Sequence, residues 1–143
     1  MKPEIEISRI LDADISLAWK AITEKELMKQ WYFDLKEFKP EVGFTFEFTG
    51  GHEEGIQYNH ICVVTEVEFE KKLTYSWRYE GYEGISFVTF ELAVEDGKTR
   101  LNFSHSGLSS FPYNNLDFAL HNFEEGWDHF INNALPEFLL KNI

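Results

Sequence analysis

A histidine, a glutamate and a second histidine recur at four-residue intervals near the end of the chain: His121, Glu125 and His129. Residues four apart on a helix project from the same side, an arrangement that metal ligands can use. A helical wheel places these three residues opposite an apolar stripe, so we expect them to face water, with Glu125 in ordinary charge pairs. We therefore assign no metal ligands.

Another histidine, His105, follows Leu101 and Phe103 at alternate positions. Because alternate residues of a strand share a face, its side chain should point into the protein. Two interpretations stay open: a core histidine with one hydrogen bond, or a ligand contact in a cavity. Ser104 and Ser106 flank His105 but point to the opposite face, which argues against a Ser–His nucleophile. A general base also needs a positioned partner, and we assign no catalytic residue.

The sequence signatures of common catalytic and cofactor-binding classes do not occur in the chain. It contains no phosphate-binding glycine loop, no CxxC pair, no HExxH and no GxSxG. Cys62 is the only cysteine, and nothing around it indicates a reactive thiolate. We therefore expect no cofactor, and a binding function is favoured over catalysis.

The stretch LTYSWRYEGY, residues 73–82, gives one face of a strand an unusual set of aromatic rings. Leu73, Tyr75, Trp77 and Tyr79 alternate with polar residues and should share that face. Tyrosine hydroxyls and the indole N–H need partners when they are buried. Several polar-tipped rings on one face favour a cavity wall for an amphipathic small molecule, although the same rings also suit a filled core.

Hydrophobic alternation and capping signals predict the elements that position these residues. Residues 4–11 should form a first strand, followed by a short helix capped by Asp14. The capping box at 23–26 should begin a second short helix. Alternating faces then predict strands that contain 44–48, 61–67, 73–79, 88–94 and 101–105, with a break at 50–55 and a two-residue hairpin at Asp96-Gly97.

A long amphipathic helix is predicted at the C-terminal end, after a cap at Asn114 or Asn115. Its apolar stripe comprises Leu116, Leu120, Phe123, Trp127, Phe130, Ile131, Ala134 and Phe138. Pro136 should kink the helix or end it early, and Gly126 should allow the helix to approach a strand closely. A helix with one apolar stripe buries it against the sheet, and the space between them is either packed or hollow.

Composition limits the partners that the protein can have. Its 143 residues suit a single domain, 1–143, with a core that needs neither disulfides nor metals. The net charge of −12 disfavours nucleic acid and anionic membranes, both of which attract Lys and Arg. Acidic residues concentrate between Glu41 and Asp96, which serves solubility or attracts a basic protein partner. With no signal peptide or membrane-spanning run, we expect a cytoplasmic protein.

The order and spacing of several segments resemble a known family. They are the Ala18-Trp19 pair, LMKQWY at 27–32, GFTFEF at 43–48, LTYSWR at 73–78, VTFEL at 88–92, TRLNFSHSG at 99–107 and the Gly126-Trp127 pair. Together they resemble the C-terminal domain of the activators of the ninety-kilodalton heat-shock protein ATPase, in the START-like, birch-pollen-allergen-like superfamily. The resemblance implies an α+β helix-grip fold: a curved antiparallel sheet of about six or seven strands around the C-terminal helix, with two short helices after the first strand.

Fold alone does not determine function in this superfamily, because it includes lipid carriers, hormone receptors and cyclases. The favoured hypothesis is a non-enzymatic domain that holds a hydrophobic or amphipathic small molecule between sheet and helix. The alternatives are an interaction domain that modulates a chaperone ATPase, and a cyclase- or hydrolase-like enzyme that uses His105. The predicted cavity-lining residues are Trp31, Phe46, Phe48, Tyr75, Trp77, Tyr79, Phe90, Phe103, His105, Phe123 and Trp127.

Overall fold

A computed structural model describes residues 2–51 and 54–142 as one antiparallel sheet packed against a C-terminal helix. The strands are β1 (Ile5–Leu11), β2 (Thr45–Gly51), β3 (Gln57–Glu68), β4 (Lys72–Tyr79), β5 (Ser86–Glu95) and β6 (Lys98–Ser106). Their spatial order is β1-β6-β5-β4-β3-β2, so β1 and β2 are the edges. The predicted α+β helix-grip fold is confirmed, with six strands in the described part of the chain.

Two short helices, α1 (Ile15–Thr23) and α2 (Lys25–Met28), follow β1 as predicted. The predicted cap of α1 is confirmed, since the carboxylate of Asp14 accepts a hydrogen bond of 2.8 Å from the backbone N–H of Leu17. The predicted capping box is wrong. Thr23 is the last residue of α1, and its hydroxyl donates to the carbonyl of Trp19 four residues earlier.

The buried face of β3 is the opposite of the one that the sequence pattern indicates. Ile61, Val63 and Thr65 alternate as predicted, but Tyr58, His60, Cys62 and Val64 are the buried residues. Both faces of this strand carry apolar residues, so alternation alone does not distinguish them. The pairing of β3 with β4 also shifts between Val64 and Glu66, and Val67 consequently packs against the core.

Turns and breaks around the sheet follow the sequence closely. Asp96 and Gly97 both have positive φ, +51° and +78°, as a two-residue hairpin between antiparallel strands requires. The break predicted at 50–55 starts too early, because Gly50 and Gly51 still belong to β2 and pair with Tyr58 and Gln57; His52 and Glu53 lie outside the described residues. Val94, which the alternation assigns to the inner face of β5, is exposed near the hairpin.

The C-terminal helix begins later than predicted. It comprises α3 (Leu120–Asp128), a π-helical segment (His129–Ala134) and α4 (Leu135–Lys141). Asn115 does act as a cap, but of a separate 3-10 turn, Leu116–Phe118, in which its side chain accepts from the N–H of Asp117. Leu116 is therefore 81% exposed rather than part of the buried stripe.

The helix continues past Pro136, but the segment before the proline departs from regular α geometry. A proline inside a helix donates no N–H to the carbonyl four residues earlier, which here belongs to Asn132. The turn before Pro136 is π-helical, and the N–H of Leu135 bonds to the carbonyl of Phe130, five residues back. The guanidinium of Arg9 in β1 donates to the Asn132 carbonyl at 3.2 Å and to its side-chain oxygen at 3.0 Å.

The helix packs on the sheet through aromatic rings. Trp127 lies 4.4 Å from Phe103 and 5.6 Å from Trp77, measured between ring centroids. Ile131, Leu135, Phe138 and Leu139 continue the buried side of the helix. Within residues 2–51 and 54–142, no helix combines the length and apolar character that crossing a membrane requires.

Candidate functional site

A pocket of about 210 Å³ opens between the sheet and the C-terminal helix. Its floor comes from the end of β2 and from β3 and β4, and its opposite wall comes from α3 and the 3-10 turn that precedes it. The lining residues are Phe33, Gly50, Gly51, Tyr58, His60, Trp77, Tyr79, Asp117, Phe118, Asn122, Phe123, Gly126, Trp127 and Phe130. The pocket therefore lies where a helix-grip fold leaves space between its two layers.

The rings around the pocket hold one another in place. Tyr79 stacks on Phe118 with 4.6 Å between centroids, and Trp77 lies 5.6 Å from Trp127. Phe33 stacks on Phe48 at 4.1 Å. Because each ring contacts several others, the walls are largely preformed, which lowers the entropic cost of binding.

His60 is the polar group that sequence reasoning missed, because it lies on the unexpected face of β3. It is only 7% exposed, and Nδ1 lies 3.0 Å and 3.2 Å from the carbonyls of Tyr58 and Phe48. Carbonyls only accept, so Nδ1 carries the proton and Nε2 is an acceptor. Burial lowers the pKa of His60 to about 4, and the ring is neutral at pH 7.

Tyr79 lies directly opposite His60 across β3 and β4. Its hydroxyl accepts a hydrogen bond of 3.0 Å from the indole N–H of Trp77. Burial raises the pKa of Tyr79 well above its ordinary value, so the hydroxyl keeps its proton. Within the described residues, that proton is not donated to a protein acceptor. Tyr79 therefore offers a donor, and His60 offers an acceptor.

The rim of the pocket carries a tyrosine–carboxylate pair. The hydroxyl of Tyr58 donates to Asp117 at 2.5 Å, and the amide of Asn115 donates to the same hydroxyl at 3.4 Å. Burial, followed by the hydrogen bond to Asp117, raises the pKa of Tyr58. This pair joins β3 to the 3-10 turn before α3.

His105 lies behind the pocket in a closed chain of hydrogen bonds. Trp127 donates its indole N–H to Nδ1 at 2.9 Å, and Nε2 lies 2.8 Å from the hydroxyl of Ser86. Since Nδ1 accepts, Nε2 carries the proton and donates to Ser86, whose hydroxyl donates to the carbonyl of Trp77. His105 and Ser86 are both 0% exposed, and burial lowers the pKa of His105 to about 3.

Only part of the predicted cavity wall meets in the pocket. Trp77, Tyr79, Phe123 and Trp127 line it. Phe46 and Phe48 line a different groove, of about 750 Å³, which follows edge strand β2. The other predicted residues, Trp31, Tyr75, Phe90, Phe103 and His105, are buried and line neither space.

Most polar ring tips outside the pocket are satisfied within the protein. The hydroxyls of Tyr32 and Tyr75 lie 2.6 Å apart, and the indole N–H of Trp31 donates to the carbonyl of Ala21 at 2.8 Å. Burial raises the pKa of both tyrosines. These rings match the filled-core interpretation, and of the two tyrosines predicted to line a cavity, Tyr75 and Tyr79, only Tyr79 lines the pocket.

Gly126 serves the pocket rather than helix packing, which corrects the sequence-based expectation. A Cβ placed on this residue would meet nothing within 4 Å, so no strand approaches it. The residue is exposed and lines the pocket. The expected close approach of a strand to Gly126 is therefore absent, and the residue borders the space between α3 and the sheet.

The groove along β2 has a different chemistry from the pocket. Its lining includes Asp34, Lys36, Glu37 and Glu47 beside the phenylalanines of β2. Residues of both faces of β2 contribute, which indicates that the groove follows the sheet edge. Phe33 lines both spaces and forms the wall between them.

Neither the cysteine nor the helical histidines form a reactive centre. Cys62 is buried, and burial raises the pKa of its thiol far above the ordinary value. His121, Glu125 and His129 are exposed, as predicted. In the described ranges 2–51 and 54–142, no three His, Cys, Asp or Glu residues cluster as metal ligands would.

The fold and its pocket define a helix-grip domain of the START-like, birch-pollen-allergen-like type. The chain belongs to the family described as "Activator of Hsp90 ATPase homolog 1-like protein", whose profile matches residues 12–139. No curated protein matches the chain significantly.

Solved bacterial structures share the fold over nearly the whole chain. Protein MLL2253 of Mesorhizobium loti is 25% identical over 97% of this chain and 98% of its own, with a TM-score of 0.79. Protein BH1534 of Bacillus halodurans is 25% identical over 96% of this chain and 97% of its own, with a TM-score of 0.74. Protein CV1439 of Chromobacterium violaceum is 17% identical over 94% and 95%, with a TM-score of 0.78.

Proposed function

We propose that this protein is a non-enzymatic binding domain that holds a small, largely apolar molecule between the sheet and the C-terminal helix. The observation that carries the proposal is the ring-lined pocket of about 210 Å³ with two polar groups of defined hydrogen-bonding role. Binding pockets typically combine apolar walls with a few placed polar atoms. This composition suits an amphipathic molecule better than a wholly apolar one.

The surroundings of His105 support binding over catalysis. Its two ring nitrogens are engaged by Trp127 and Ser86, and neither His105 nor Ser86 is exposed. A general base must come within hydrogen-bond reach of the proton it abstracts. A role of His105 in holding the helix on the sheet accounts for these contacts without a reaction.

Native mass spectrometry of the protein as purified from cells tests the proposal directly. We expect a reproducible added mass that disappears on denaturation, and solvent extraction then identifies the molecule. A protein that carries no added mass and takes up no small aromatic compound from a screened set would contradict a ligand-binding function.

Gly126→Leu is the variant that separates binding from folding. Gly126 lines the pocket, and a Cβ at this position meets nothing within 4 Å, so a leucine side chain has room to occupy part of the pocket. Replacing a helical glycine also favours the helix by about 1 kcal/mol, so the variant should fold while the added mass disappears. Glu125→Leu, at the neighbouring exposed position, is the matched control and should retain the ligand.

A second candidate is an interaction with a chaperone ATPase, favoured by the family description and by the acidic stretch from Glu41 to Asp96. Such binding would be sensitive to salt, because opposite charges on the partners would steer association. Adding the protein to a purified Hsp90-type chaperone at low salt should then change its ATPase rate. No complex and an unchanged rate would remove this candidate.

A further inference from the structure

Two polar groups of the pocket, His60 and Tyr79, together with its size and charge, narrow the class of molecule that it accepts. We propose that it selects a neutral aromatic molecule of one or two rings that carries an O–H or N–H donor, with Nε2 of His60 as the acceptor. This inference rests on the proposed binding function and specifies its ligand.

The acceptor role of His60 is fixed by its neighbours. Two backbone carbonyls, of Phe48 and Tyr58, engage Nδ1, so the proton stays on that nitrogen. Nε2, on the other edge of the ring, makes no hydrogen bond to residues in 2–51 or 54–142. An acceptor without a partner in a ring-lined pocket favours a ligand that donates to it.

Tyr79 complements His60 from the adjacent strand. Its oxygen already accepts from Trp77, which leaves the hydroxyl proton for a ligand acceptor. A phenol or an alcohol can donate to His60 through its hydrogen and accept from Tyr79 through its oxygen. An O–H group therefore satisfies both polar groups better than a group that only accepts.

The size of the pocket limits the ligand to a small ring system. A dry apolar cavity of roughly 150 Å³ holds benzene, so about 210 Å³ accommodates one ring or two fused rings. A flat ring system in this space would lie among the rings of Trp77, Tyr79 and Trp127. Long acyl chains exceed this volume. They cannot extend into the groove along β2, because Phe33 lies between the two spaces.

Charge excludes anions from the pocket. Among the described residues that line it, Asp117 is the only acidic one and none is Lys or Arg. A buried ligand carboxylate would find no cation there and would lose its hydration without compensation. The Asp117 carboxylate accepts from Tyr58 at the rim, which places it poorly to pair with a cation bound beside the neutral His60.

Four probes that share one ring system test the inference by calorimetric titration: 2-naphthol, 2-methylnaphthalene, 2-naphthoate and 2-naphthylmethylammonium. We expect 2-naphthol to bind about tenfold tighter than 2-methylnaphthalene, the effect of about one net hydrogen bond to the pocket. The naphthoate should show no saturable binding, and the ammonium should bind more weakly than 2-naphthol.

The pattern of results separates this inference from the proposed function. Equal binding of 2-naphthol and 2-methylnaphthalene would confirm a working pocket and overturn the role of His60. Tightest binding by the naphthoate or the ammonium would overturn the selection for neutral molecules. Failure of all four probes would contradict the proposed binding function together with this inference.

His60→Phe is the variant that assigns the preference to one residue. The ring shape stays, but the acceptor is lost, so the tenfold preference for 2-naphthol should shrink to what the Tyr79 hydroxyl alone supplies. His121→Phe, the same replacement at an exposed site, should keep the tenfold preference. If His60→Phe does not fold, the ranking of the probes on the unmodified protein still decides the inference.

Discussion

The indole N–H of Trp127 donates a hydrogen bond of 2.9 Å to Nδ1 of His105, and both residues are buried. This bond joins the C-terminal helix to β6, and it fixes the imidazole tautomer that donates to Ser86. The same tryptophan presents another part of its ring to the pocket. One residue therefore links the packed core to the candidate site.

Trp127→Phe should destabilise the protein by more than the smaller buried ring alone would. Phenylalanine leaves Nδ1 of His105 buried without a donor, which costs about 1–3 kcal/mol. Urea unfolding followed by circular dichroism measures the free energy of unfolding. Trp19→Phe is the matched control, because Trp19 is buried but its indole donates no hydrogen bond within the described residues. Equal losses in the two variants would contradict the contribution of the bond.

Stability should fall as the pH decreases from 7 to 5. Burial lowers the pKa of His60 to about 4 and of His105 to about 3, from 6.5 in both cases. In this pH range the unfolded chain takes up protons at these residues and the folded protein does not. The free energy of unfolding should therefore decrease by about 3–4 kcal/mol in total between pH 7 and pH 5.

Urea titrations at pH 7, 6 and 5 measure this dependence. Carboxyl groups with a lowered pKa, such as Glu4 and Glu95, start from 4.5 and contribute mainly below this range. The His121→Gln variant, changed at an exposed position, should follow the same profile as the unmodified protein. A flat profile between pH 7 and pH 5 would show that neither histidine is buried in its neutral form.

Much of the fold can be read from the sequence because single-residue signals agree with the global pattern. Asp14 predicts a helix start and Asp96-Gly97 predicts a hairpin, and both signals are local. On β4, Leu73 and three aromatic residues lie on one face of the strand and polar residues lie on the other. The pattern therefore identifies the inner face without ambiguity. These elements are enough to predict which face of the sheet the C-terminal helix covers.

The candidate site is harder to predict because its residues depend on tertiary context. On β3 both faces carry apolar residues, so alternation leaves the direction of His60 open. A glycine within a helical pattern, such as Gly126, looks the same in the sequence whether it allows close packing or borders an open space. Phe33 follows the helical segment in an irregular stretch with no periodicity to place it. Tyr75 and Tyr79 belong to the same alternating aromatic pattern, which does not distinguish the filled core around Tyr75 from the pocket around Tyr79.

Phe33→Ala should join the pocket to the groove along β2. Phe33 lines both spaces and stacks on Phe48 at 4.1 Å, so removing its ring opens the wall between them. The variant should bind the larger neutral dye N-phenyl-1-naphthylamine at least about tenfold tighter than the unmodified protein, since a deleted phenylalanine ring leaves a cavity of ligand size.

Dye fluorescence and urea unfolding together check this prediction. Phe38→Ala is the control, because Phe38 is buried against Phe44 and Phe46 but lines neither space. It should cost about 3–5 kcal/mol of stability, the usual loss for a buried phenylalanine, without a gain in dye binding. Equal dye binding by the two variants would show that loosened packing, rather than a joined pocket, admits the dye.

Arg9 and Pro136 should show a coupled effect on stability. Arg9 donates to the carbonyl of Asn132, which the proline four residues later cannot serve. Arg9→Met should therefore cost about 1–3 kcal/mol, because it leaves that carbonyl without this donor. In a Pro136→Ala background the restored N–H can serve the same carbonyl, so the cost of Arg9→Met should fall by at least about 1 kcal/mol.

A double-mutant cycle measured by urea unfolding gives this coupling energy directly. Arg9 also contacts the Asn132 side chain at 3.0 Å, so Asn132→Ala in each background separates that contribution from the backbone carbonyl. Additive effects of Arg9→Met and Pro136→Ala would mean that the guanidinium does not compensate for the proline. A coupling of about 1 kcal/mol or more would show that β1 stabilises the π-helical turn. This turn continues α3, which forms the wall of the pocket opposite the sheet.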